Sequence, residues 1–182
     1  MELTRLALLV ATTVSLVGGL LSFCARAEST VIVVPDDYAS IQAAIDGASG
    51  GDTIVVRTGV YSESLTLNKA LTLTAEVYDA ANPVNNGAVI DGGGAAAVIG
   101  IPAGVTPAPT IRGFAIRNGD DGIAPYSPFV VEYSYFSGAA DLIDYEKGSG
   151  GITRHNVFFA ARDDALDLDD QTEALLIENN LL

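Results

Sequence analysis

The chain has 182 residues, about half of them hydrophobic, with 23 acidic and 9 basic side chains and a net charge of −14. That surplus of carboxylates argues against a nucleic-acid partner, because affinity for a phosphate backbone rests on clustered Lys and Arg. With one cysteine, Cys24, there is no intramolecular disulfide, so stability must come from packing.

In chain order, the first element is Arg5, an apolar run from Leu6 to Leu21, and then Ala25-Arg26-Ala27. This is the layout of a signal peptide cleaved after Ala27. A membrane-spanning helix needs about 20 apolar residues in a row, whereas this run is shorter and interrupted by Gly18 and Gly19. A lipid anchor on Cys24 is the alternative, but Phe23 sits where that route expects a small residue. The expected product is a secreted protein, extracellular or periplasmic, with residues 28–182 forming one domain and no membrane association after cleavage. Removing Glu2, Arg5 and Arg26 leaves 22 acidic and 7 basic side chains, a net −15. The acid is uneven: residues 119–182 hold 13 acidic against 3 basic side chains.

Ile41, Ile45 and Ala48 follow the three- and four-residue spacing of one helical face, with Ser40 suited to the N-cap and Gly47 to the exit. Short β-branched or apolar runs follow at 53–56, 65–67, 71–73, 89–90 and 98–101, separated by turn residues. From Thr110 the chain repeats itself: TIRGFAI (110–116), VVEYSYF (130–136), ITRHNVF (152–158) and LIENNLL (176–182) align without gaps. Phe114, Ser134, Asn156 and Asn180 share one column at spacings of 20, 22 and 24 residues. One coil of three short strands and three turns needs about that length. The fold class expected is all-β, a single-stranded parallel β-helix with the short helix capping its N-terminal end. Coils stack about 4.8 Å apart, so Asn156 and Asn180 are expected to form an amide ladder, the alternative being two ordinary turn asparagines. The last repeat is followed by no turn or cap. The expectation is that the sequence continues in a longer protein, or that this end associates with itself or a partner.

The same stacking assembles acidic columns. Asp121, Asp141 and Asp163 lie seven residues beyond the ladder column, with Asp164 beside the last, and a second column holds Ala124, Asp144 and Asp167. Stacked carboxylates repel, and protonation, outward splay into water or a bound cation relieves the repulsion; the same residues also read as ordinary coil-turn aspartates or as acid/base groups. An all-oxygen cluster of this charge suits Ca²⁺, so Asp141, Asp144, Asp163, Asp164 and Asp167 are the candidate metal ligands. Asp121, standing alone, reads first as a turn residue bonded to its own backbone, and Asp169 and Asp170 stand as second-tier ligands. Arg154 and Arg162 are candidates to hold substrate carboxylates or to pair with neighbouring acids, and His155 suits stacking or the surface.

The strings SIQAAID (40–46), GDTIVVRTGVYSESLTLNKALTLTAE (51–76) and VIDGGG (89–94) resemble the opening of pectin-lyase-like right-handed parallel β-helix proteins. The resemblance implies the fold over nearly all of residues 28–182, but it covers lyases, esterases, epimerases and surface proteins alike, so it assigns no activity. Asp163-Asp164-x-x-Asp167, one coil after Asp141, resembles the calcium site of one family of β-helix pectate lyases. There, calcium holds a uronate carboxylate and acidifies the adjacent ring proton, and a lysine removes it so that the glycosidic oxygen leaves by β-elimination. Ala165 stands where that family tends to have glycine, and no lysine follows Asp167. Lys147 is the candidate base, or else a solvated loop lysine. A polygalacturonase-like inverting hydrolase is a further reading, against which Ala139-Ala140 replaces the expected Asn-Thr and no Gly-His-Gly occurs. A non-enzymatic carbohydrate-binding β-helix using Ca²⁺ for rigidity is the third. All three imply an acidic polysaccharide as partner.

Overall fold

The computed structural model describes residues 28–182; the leader, its cleavage site and Cys24 lie outside the described residues. Strand β1 (Val31–Val34) leads into helix α1 (Ile41–Gly47). Ser40 caps the helix as its spacing predicts, its Oγ accepting from Ala43 N at 3.2 Å. Glu63 completes that end by accepting from Ile41 N and Gln42 N, and Lys69 Nζ donates to the carbonyls of Ile45, Asp46 and Ala48 at the other. A helix of two turns is marginal alone. Here it is pinned at both termini and buries Ile41, Ala44 and Ile45.

The rest of the chain winds into a parallel β-solenoid. One face runs in chain order through β1, β2 (Thr53–Val56), β5 (Thr72–Ala75), β7 (Thr110–Arg112), β9 (Pro128–Glu132), β12 (Gly150–Arg154) and β14 (Leu175–Glu178). A second face stacks β3 (Gly59–Ser62), the first half of β6 (Ala88–Ile101), the first half of β8 (Ala115–Pro125), β10 (Tyr135–Ser137) and β13 (Val157–Phe159). A third carries β4 (Leu65–Thr66), the far halves of β6 and β8, and β11 (Asp141–Ile143). The runs at 89–90 and 98–101 are one bent strand, with a register shift between Asp91 and Ala95 where it rounds the corner. β1, itself an apolar β-branched run, and β3 add strands to those expected from the sequence.

Every face contributes a stack to the core, because parallel in-register pairing sets like positions over one another. Ile54, Leu73, Ile111 and Val131 line the first face. Ile90, Ile116, Phe136 and Phe158 line the second, and Leu65, Ile99, Ile123 and Ile143 the third. All twelve are buried, each worth about 1.5–3 kcal/mol relative to exposure.

The corner between the first two faces holds the ladder. Phe114 N donates to Ser134 Oγ (3.3 Å), Ser134 N to Asn156 Oδ1 (2.9 Å) and Asn156 N to Asn180 Oδ1 (2.9 Å). The amides also meet directly, Asn156 Nδ2 donating to Asn180 Oδ1 at 3.2 Å. The residue before each column member has positive φ: Gly113, Tyr133, His155 and Asn179. A side chain in that conformation costs about 1 kcal/mol, which the ladder bonds offset. Tyr133 and His155 stack with centroids 5.0 Å apart and planes 3° from parallel, and Tyr78 extends the stack on Tyr133. Gly113 is required twice over, since a Cβ there would lie 2.6 Å from Tyr78 Cγ. His155 is therefore a stacking residue, in keeping with its sequence context.

Candidate metal centre

The third face brings the acidic residues together. Asp121 lies inside β8, in register with Asp141 of β11, so it is a strand residue rather than a turn residue. On the next coil Asp164, not Asp163, continues the column: Asp164 N donates to Asp141 Oδ1 at 3.0 Å. Asp144 and Asp167 form the neighbouring bridge. The step from Asp141 to Asp164 is 23 residues, while β10 and β13 pair at 22. The extra residue enters at Asp163–Asp164: Arg162 N and Asp163 N still donate to Ala139 O and Ala140 O in the register of the 22-residue step, whereas Leu142 N donates to Asp164 O and Tyr145 N to Asp167 O in that of the 23-residue step. That slip puts Asp163 outside the group.

Asp141, Asp164 and Asp167 each offer a carboxylate oxygen, and the three oxygens lie within 4.8 Å of one another. Two oxygens about 2.4 Å from one Ca²⁺ ion lie at most about 4.8 Å apart, so the set fits. One oxygen of Asp141 accepts from Asp164 N, and one of Asp167 from Asp169 N, leaving each a second oxygen for a ligand. The donors are all hard oxygens, with no His or Cys among them, and three carboxylates leave coordination positions for water or a bound anion. Asp144 is the flanking member of this constellation, and Asp169 and Asp170 point to solvent as exposed residues.

The charge on this face is poorly balanced. Burial, then Asp144 and Asp120, pushes the Asp121 carboxyl up to about 6; burial, then Glu146 and Asp167, pushes Asp144 up to about 6. Asp164 is raised by burial and by Asp163 and Asp141. Two carboxylates one coil apart repel by about 1 kcal/mol in water and about 3 kcal/mol at an effective dielectric near 20. A raised carboxyl contributes stability that is complete below its unfolded value near 3.9 and lost as pH rises through the folded value. Asp121→Asn is therefore expected to stabilise the calcium-free protein by about 1 kcal/mol at pH 8, with the shift discounted for partial solvent access, and not at pH 3.5. Urea unfolding in chelator at the two pH values checks this.

The candidate cations lie elsewhere. Lys147 is exposed on the turn after β11 and lines a groove with Tyr126, Thr172 and Glu173. Arg162 approaches Asp120 at 3.5 Å and donates to Gly119 O. Arg154 stands on the first face, its Nε donating to Glu132 Oε2 at 2.8 Å, while Arg112 Nε donates to Oε1 at 2.6 Å. Of the roles open to the two arginines, the geometry displays pairing with protein acids. Glu132 is the buried acid of a first-face ion-pair column that the sequence reading missed, although Arg112, Glu132, Arg154 and Glu178 recur at the ladder's own spacing.

Burial opposes ionisation of Glu132, but hydrogen bonds from Arg154 and Arg112 outweigh it and hold its carboxyl below the usual range. Its contribution is present above the unfolded value near 4.3 and lost as pH falls through the lower folded one. Glu132→Gln is expected to cost about 2 kcal/mol at pH 7, the gap narrowing below pH 4 in paired thermal melts.

A parallel β-solenoid with one carboxylate-lined face is the class of protein that these observations define. No protein-family model matches the chain, and no curated protein matches it. Among solved structures it is similar to a pectin methylesterase in complex with hexasaccharide VII, at 19% identity over 72% of this chain and 47% of that one, with a TM-score of 0.40. It is also similar to pectin methylesterase PemA from Erwinia chrysanthemi, at 18% identity over 71% and 47%, TM-score 0.39. The chain spans about half the length of these proteins. Among the described residues no helix is long and apolar enough to cross a membrane.

Proposed function

We propose that this is an exported protein whose third face binds acidic polysaccharide through Ca²⁺. The observation that carries the reading is the grouping of Asp141, Asp164 and Asp167 with no basic side chain among them. A net −15 surface repels a polyuronate, so a direct contact on this face needs the local sign reversed. Asp141, Asp164 and Asp167 would hold the ion, with Asp144 beside them. When bound, the ion supplies a positive centre that attracts a uronate carboxylate and acidifies the adjacent ring proton.

Binding is favoured over turnover by one feature. β-Elimination needs a base within hydrogen-bond reach of the proton, and Lys147 lines a groove on the turn beyond β11 that includes none of Asp141, Asp144, Asp164 and Asp167. The lyase remains the alternative, with Lys147 as its base, and the inverting hydrolase the next.

Calorimetry with polygalacturonate, with and without chelator, tests the reading, together with absorbance of unsaturated ends and assay of reducing ends. Calcium-dependent binding without either product is the expected result. Unsaturated ends establish the lyase, and reducing ends without that absorbance the hydrolase. Equal binding in chelator overturns the calcium reading.

A further inference from the structure

The two columns that carry carboxylates on the later coils carry almost no side chain on the earlier ones. One column reads Ala97, Asp121, Asp141, Asp164; the other reads Gly100, Ala124, Asp144, Asp167. The wall thus passes, in steps of about 4.8 Å, from bare backbone and methyl groups to a dense acidic patch. Over the small residues lies a groove of about 390 Å³ with Ala97, Gly100 and Ala124 along its wall. Tyr126 forms a rim, 43% exposed. Its hydroxyl donates to Glu146 Oε1 at 2.6 Å, which fixes the ring. Asp121 and Glu146 are the charged residues lining the groove, and no Lys or Arg joins them.

Such a groove fits a sugar ring, with small residues admitting it and an aromatic edge to pack on. It does not fit a uronate. A carboxylate placed there would face Asp121 and Glu146 with no compensating cation, and one such repulsion at an effective dielectric near 20 is worth about tenfold or more in affinity. Resting on the calcium reading above, we propose that this groove is a subsite for an uncharged sugar unit, next along the chain from the uronate held at Asp141, Asp164 and Asp167. The preferred ligand is then a polyuronate interrupted by uncharged units, whether methyl-esterified uronates or neutral hexoses, rather than a fully charged one.

The test compares three oligosaccharides of equal length by calorimetry at pH 8 in saturating calcium: fully de-esterified galacturonate, the same oligomer half methyl-esterified, and an alternating hexose–uronate oligomer. At least one uncharged-unit ligand is expected to bind about tenfold tighter than the fully charged one, and which of them does so identifies the source. In the double variant Asp121→Asn, Glu146→Gln that preference is expected to fall below about threefold, through tighter binding of the charged oligomer. Ala97→Leu fills the groove from the surface. It should abolish the preference while leaving calcium affinity, titrated without glycan, unchanged. Equal or tighter binding of the charged oligomer by the unaltered protein overturns the proposal, as does a preference that survives Ala97→Leu. If calcium and the charged oligomer bind but no preference exists, the groove assignment alone fails. If calcium titrated alone gives no binding, the reading beneath it fails as well.

Discussion

Asp164→Asn is expected to weaken calcium binding on the order of 100-fold, and Asp163→Asn by less than about threefold. The two residues are neighbours in sequence, equally acidic and both exposed. Only Asp164 aligns with Asp141 and contributes an oxygen to the group of three. Removing one of three ligating charges costs about 2–3 kcal/mol of attraction to a divalent ion, which is the stated loss in affinity. Asp141→Asn and Asp167→Asn should match Asp164→Asn, with Asp144→Asn in between, since Asp144 adds charge from the adjoining bridge without belonging to the group. Thermal melts supply a second readout. Calcium at 100 times its Kd stabilises the native state by about 2.7 kcal/mol, and the Asp164 variant should lose that increment at the same calcium concentration. Without calcium the order inverts, because the unaltered protein then carries the unrelieved repulsion. Calorimetric titration of the five variants decides the matter: if Asp163→Asn is as damaging as Asp164→Asn, the slipped register is wrong.

That slip marks the limit of what the sequence discloses. Column arithmetic from Thr110 onward reproduces the observed pairing residue for residue, Thr110 with Val130, Val130 with Ile152 and Ile152 with Leu176, because buried side chains in parallel register leave a repeat that can be read directly. The helix at Ile41–Gly47 was legible for a similar reason: its cap and its apolar spacing agree. The acidic columns were legible only to within one residue, because the extra position enters between Asp163 and Asp164 with no glycine or proline to announce it. β3 was hidden because it reads Gly-Val-Tyr-Ser, with Val60 exposed and only Tyr61 packed on the core, so no apolar run marks it. The Tyr126–Glu146 contact and the bare groove beside it were hidden for another reason. They depend on which small residues face outward along β6 and β8, and β6 changes register as it rounds a corner.

Asn156→Leu is expected to destabilise the fold by about 3–4 kcal/mol, lowering the melting temperature by about 10 °C for a domain of this size. Asn156 is 1% exposed, and both ends of its amide are in use. Oδ1 accepts from Ser134 N on the preceding coil, and Nδ2 donates to Val131 O and Asn180 Oδ1. Leucine has the right size but neither function, so Ser134 N and Val131 O lose these partners inside the wall, where each orphaned group costs about 1–3 kcal/mol. Asn180→Leu provides the internal comparison. Its Oδ1 serves Asn156 N and its Nδ2 serves Thr153 O, but it is only partly buried, so water can take over one of those bonds and the expected loss is about 1–2 kcal/mol. Ordinary turn asparagines would lose less than about 1 kcal/mol at both positions. Equilibrium urea unfolding of the two variants separates the cases, and a ladder requires the larger loss at the inner rung. The same corner turns the chain from the first face into the second, so its rigidity sets the angle at which the next strands are delivered toward the acidic third face.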